Sequence, residues 1–129
     1  MDKTTLVEKD IEAGKDLVRK LDDMDLKVTS AFWIYDSDSE IYRLVIAFPF
    51  YDEHGPKAAY LKIRSVLDTF GESFRISLSN IHAVSPSDSF VIKMSKAIRV
   101  EGLSDIRFSR NVIDGEYVED ALIYRSGSL

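Results

Sequence analysis

The stretch RFSRNVIDGEYVEDALIYR, residues 107–125, decides how the chain is read. Two runs rich in β-branched and aromatic residues flank Asp114-Gly115. That pair suits a two-residue type I′ turn, in which both turn positions need positive φ. A hairpin on this turn sets Val112 opposite Tyr117, Arg110 opposite Glu119, Phe108 opposite Ala121 and Ile106 opposite Ile123. Side chains alternate along a strand, so these eight share one face. Six of them are apolar, which predicts a partly buried Arg110–Glu119 ion pair that fixes register; stranding one member of such a pair costs roughly 3–5 kcal/mol. The functional alternative is an arginine that binds an anion or a partner's carboxylate, oriented by Glu119. The other face carries Arg107, Ser109, Asn111, Glu116 and Asp120 together with Val118, Leu122 and Tyr124. Its polar members read as the wet side of a sheet, and its apolar ones as a seat for a helix, a partner chain or a second protomer. The binding candidates are therefore Arg110, Glu119, Arg107 and Tyr124.

Upstream, helical spacing recurs in Val7, Ile11, Gly14, Val18 and Leu21, with Leu6 and Leu17 widening the stripe and Lys9, Glu12, Lys15, Asp16 and Arg19 opposite it. Thr5 and Glu8 have the spacing of a capping box at its start. KVTSAFWIY and IYRLVIAFPF pair as strands across the turn DSDSE, and the unbroken apolar run at 44–48 predicts a strand buried on both faces. Pro49 cannot donate to a ladder, so pairing stops there. A second helix begins at Pro56, carries Ala59, Ile63, Val66, Leu67 and Phe70 on one face, and ends at Gly71. A strand is expected at 74–78 and a further extended piece at 81–84. A short third helix follows, with Ser85 as N-cap, Pro86 in first position and Asp88 near its positive end. The order α-β-β-α-β-α-β-β predicts one α+β domain over residues 1–129: a mostly antiparallel sheet of about five strands with three helices mainly on one side.

With 129 residues, 45% hydrophobic and 30% charged, the chain is long and apolar enough to fold without staples. It has no cysteine, which excludes thiol nucleophiles, thiolate metal centres and disulfides, and fits a reducing compartment. The opening MDKTTLVEKD lacks the apolar core of a secretory signal, and the longest apolar run, 44–51, is far short of a membrane span. A soluble, cytoplasmic protein is expected. Net charge is −5, with a balance of −6 in residues 1–55 and +1 in residues 56–129. An acidic chain argues against nucleic acid as a partner, since that affinity rests on neutralising phosphates.

The remaining chemistry has bland alternatives. Asp36, Asp38 and Glu40 resemble the start of a calcium loop, but Ile41 stands where glycine is needed and Ala47 where a bidentate glutamate is needed. Aspartate and serine also simply form turns. Asp52 and His54, with Glu53 between them, are the candidate acid–base pair, most plausibly acting with arginines on a phosphoester; a surface loop has the same composition. His82 lies in an extended stretch, and two histidines do not make a three-histidine zinc site. Lys93, Lys96 and Arg99 suit the C-terminal end of the third helix or, with Arg75 and Arg107, a phosphate patch. No nucleophile elbow, dinucleotide fingerprint or P-loop occurs, so no cofactor is expected. FWIYDSDSEIYRLVIAFPFYDEHGPKAAY and IRFSRNVIDGEYVEDALIYR resemble a family of small bacterial proteins with no assigned activity, which implies a bacterial, soluble, single-domain protein and no transferable catalytic residue. The leading expectation is a non-enzymatic accessory or interaction module, with homodimerisation through the closing hairpin open to it; the alternative is a small hydrolase of the phosphodiesterase type.

Overall fold

A computed structural model describes residues 3–127. Its elements are α1 (Glu8–Asp23), β1 (Ser30–Asp36), β2 (Ile41–Ala47), α2 (Pro49–Asp68), β3 (Ile81–Val84), α3 (Ser89–Ala97), β4 (Ile106–Ile113) and β5 (Glu116–Arg125), with a single 3₁₀ turn at Leu78–Asn80. This is the expected α-β-β-α-β-α-β-β order. The five strands form one sheet in the order β3-β2-β1-β5-β4, antiparallel except for the β2–β3 pair. The parallel pair needs a crossover, and α2 supplies it.

The alternation of side chains gives the sheet two apolar faces, and the helices divide between them. Ala31, Trp33, Leu44, Ile46, Ile81, Ala83, Leu122 and Tyr124 pack with α1 and α2. Phe32, Val45, Ala47, Val84, Ala121 and Ile123 pack with Val91 and Met94 of α3. Leu44 to Phe48 are all buried, as a strand covered on both sides requires. The helices are thus two against one across the sheet. Among the described residues, no helix is long and apolar enough to cross a membrane.

Several boundaries differ from expectation, each for a local reason. Helix α1 starts at Glu8, and the amide of Val7 donates to Asp10 Oδ2 at 3.2 Å; Asp10, not Glu8, is the capping carboxylate. Asp10 is held there because it also meets two cations. Lys3 Nζ lies 3.4 Å away and Arg75 Nε donates at 2.9 Å. Helix α2 starts early, at Pro49, and breaks at Gly55 (φ 88°), after which Pro56 begins the longer segment carrying the predicted stripe. Residues 74–78 are not a strand; the strand is 81–84, alone. Helix α3 starts at Ser89, since Asp88 accepts from the amides of Phe90 and Val91, whereas Ser85 is consumed in the preceding turn by the amides of Ser87 and Asp88.

One close approach ties α1 to the sheet. Tyr124 Oη donates to the Ile11 carbonyl at 2.5 Å and accepts from Trp33 Nε1 at 2.8 Å. Gly14 lies directly over that phenol, where a Cβ would overlap the ring and its oxygen.

Candidate functional site

The closing hairpin keeps the expected register in every pair the ladder forms, and Asp114 and Gly115 both have positive φ (46° and 83°), as a type I′ turn demands. The expected assignment of faces fails halfway along it. Arg110, inside β4, has φ 47°, the left-handed region. That turn of the backbone breaks the alternation: the consecutive Ser109 and Arg110 line one groove, as do the consecutive Glu119 and Asp120. Beyond this point Ile113 and Val118 face the α3 core and are buried, while Val112 and Tyr117 are exposed at 56% and 62%. The predicted Arg110–Glu119 pair is corrected accordingly. The two residues fall in the gap of the ladder between Ser109–Asp120 and Asn111–Val118; both are exposed and form no ion pair.

The charge that is paired lies one step away. Asp120 accepts from Arg107 twice, Nε to Oδ1 at 2.9 Å and Nη2 to Oδ2 at 2.6 Å. It also accepts from Ser109 Oγ and from Tyr42 Oη, each at 2.5 Å. Burial alone would raise this carboxyl, whose side chain is 14% exposed; the donors from Arg107, Ser109 and Tyr42 overcome that and hold it far below the usual carboxylate range. Burial, and then Asp120, push the Tyr42 phenol up to about 12. At neutral pH the carboxylate is ionised and saturated and the phenol is a fixed donor. Neither is poised to exchange a proton near pH 7, so the cluster anchors strands and orients Arg107. Asp120 is met by Nε and Nη2 of Arg107, whose guanidinium stays about half exposed at the rim of the groove.

The other candidates are scattered. Tyr124 is fully buried beneath α1, closed to any partner; the helix the apolar face was read to receive is α1 itself. His54 is exposed on the first turns of α2 and lies against the Phe50 ring, centroids 4.2 Å apart, with Lys62 Nζ 5.5 Å above the same ring. Asp52 is exposed in the same turn. Asp36 caps its own turn, accepting from the Asp38 amide at 3.0 Å and Ser39 Oγ at 2.9 Å, with Arg43 Nε 3.6 Å away. Asp38 and Glu40 are exposed beside it, and among the described residues no three His, Cys, Asp or Glu side chains are grouped to hold a metal ion. Three of the five cations of the expected phosphate patch are taken by carboxylates, Arg75 by Asp10, Arg107 by Asp120 and Lys93 by Glu116 at 3.5 Å, while Lys96 and Arg99 are exposed. His82 is exposed on β3.

Tyr42, Ser109 and Asp120 were not singled out by sequence reasoning. Their signal is the adjacency of β1 and β5, which carries Tyr42 and Asp120 to either side of Tyr35, and local patterns do not encode it. No protein-family model, no curated protein and no solved structure matches the chain.

Proposed function

We propose that this is a non-enzymatic protein-interaction module of the cytoplasm, and that its binding surface is the face of the β4–β5 hairpin that no helix covers. The observation that carries the reading is the exposure of Val112 and Tyr117, cross-strand partners at 56% and 62%. An exposed apolar pair with unpaired charges beside it is the composition of a contact surface, in which an aromatic anchor supplies most of the energy. The saturated state of Asp120 and the raised Tyr42 phenol support binding over proton-transfer chemistry. The lack of cysteine supports a reducing compartment.

The test is affinity capture from lysate of the native host, with nuclease, comparing the wild-type chain with Tyr117→Lys. A stoichiometric protein that the wild type retains and the folded variant loses is the expected result. Retention by both, or capture of nothing by either, sinks the reading.

A further inference from the structure

Four charged side chains line the open groove of about 410 Å³ on this hairpin: Arg107, Arg110, Glu119 and Asp120. Arg107 and Asp120 neutralise each other. What remains is one cation and one anion, Arg110 and Glu119, facing across the two strands without pairing, next to the exposed Val112 and Tyr117. A surface that sets one charge of each sign on two neighbouring strands, beside an apolar pair, is complementary to itself under a two-fold rotation about an axis running along the strands. The rotation brings Arg110 of one copy to Glu119 of the other, and the reverse, while the two Val112–Tyr117 pairs meet. A uniformly basic or acidic patch would call for a foreign partner of opposite sign; this balanced one is matched by its own copy. Arg110 is also held at φ 47° inside a strand, a conformation that an arginine keeps only where its surroundings impose it and that sets its side chain on the groove side.

We propose that a second copy of this chain docks on the hairpin face, forming a two-fold dimer held by reciprocal Arg110–Glu119 pairs around Val112 and Tyr117. This rests on the reading of the hairpin as the binding surface and names its occupant.

The test is sedimentation equilibrium of the full chain, of Arg110→Glu, of Glu119→Arg, and of an equimolar mixture of the two variants. Circular dichroism and thermal melts establish that each variant is folded. The wild type is expected to dimerise. Each variant alone places like charges across the axis and should dimerise at least about tenfold more weakly. The mixture should recover association to within about threefold of wild type, because one variant then presents two acids and the other two bases. A wild type that stays monomeric up to about 1 mM overturns the proposal. So does a dimer that both charge reversals leave unchanged, or a mixture no tighter than its components. A monomeric wild type that still captures a foreign protein through Tyr117 removes the self-association and leaves the interaction module standing.

Discussion

Tyr42 and Asp120 are 78 residues apart in sequence, and the phenol of one donates to the carboxylate of the other at 2.5 Å. Their strands, β2 and β5, never touch, because β1 lies between them. The bond spans the central strand over Tyr35, whose ring meets Tyr42 edge-on with centroids 5.2 Å apart. It joins the two halves of the sheet across its central strand.

Replacing Asp120 by Asn removes the ion partner of Arg107 and leaves more donors than the amide oxygen can accept. A stability loss of about 2 kcal/mol at pH 7 is expected from urea unfolding, discounted for the half-exposed guanidinium. The carboxyl is depressed in the folded state, so its contribution is complete above the ordinary value of 3.8 and fades as pH falls below it. Wild-type stability should therefore decline between about pH 4 and pH 2 more steeply than that of Asp120→Asn. Parallel declines would show that other carboxyls govern the acid limb.

Gly14→Ala tests the approach of Tyr124 to α1. Alanine favours a helix over glycine by about 1 kcal/mol, yet its Cβ would overlap the phenol. The expected outcome is a net loss of about 2–3 kcal/mol. Tyr124→Phe removes the overlapping oxygen, so the double variant should lose less than the two single losses added together. Additive losses in thermal melts would place the clash elsewhere.

The Lys3–Asp10–Arg75 node is buried at its centre, with Lys3 2% and Asp10 1% exposed. Burial by itself raises the Asp10 carboxyl; the Val7 amide, Arg75 and Lys3 reverse that and lower it. Asp10→Ala leaves the buried Lys3 ammonium without its carboxylate, holding only the Arg75 carbonyl at 3.0 Å, and should cost about 3–5 kcal/mol, whereas Lys3→Met should cost less because Arg75 still pairs with Asp10. Chemical denaturation of both variants gives the ranking, and equal losses would contradict it.

The left-handed backbone at Arg110 makes a prediction of its own. Compared at a dilution where the chain is monomeric, Arg110→Gly should leave stability within about 0.5 kcal/mol, since glycine adopts that φ freely, while Arg110→Val should lose about 1–2 kcal/mol. If valine is tolerated as well as glycine, the strand relaxes there at no cost.

The sequence was most legible where one short-range rule acted alone. Asp114-Gly115 fixed the turn and, through it, the register of seven cross-strand pairs. The stripe Ala59, Ile63, Val66 and Leu67 located the main body of α2. Legibility ended where a residue had two claims upon it. Asp10 caps α1 in place of Glu8 because it also answers Lys3 and Arg75, which no periodicity reveals. Arg110 and Glu119 were placed on the buried face because alternation was carried through a residue that breaks it. The Asp120 cluster needed the strand order, and that is decided by how the whole core packs. Tyr124 could be recognised as apolar-facing but not as covered, because nothing in its neighbours names α1 as the lid.

The strand order also has a kinetic consequence. The sheet is two local hairpins, β1–β2 and β4–β5, sewn along the β1–β5 seam, with Ala31 opposite Arg125 at one end and Ile34 opposite Ala121 at the other, and β3 added in parallel on the outer edge of β2. On a ribosome, β1 emerges long before the strand that will lie against it. Through most of synthesis its inner edge has no partner, and Trp33 waits without Tyr124. Such long-range closure slows folding and lengthens the time an unpaired edge is open to aggregation. The central strand is among the first made, and the last to be enclosed.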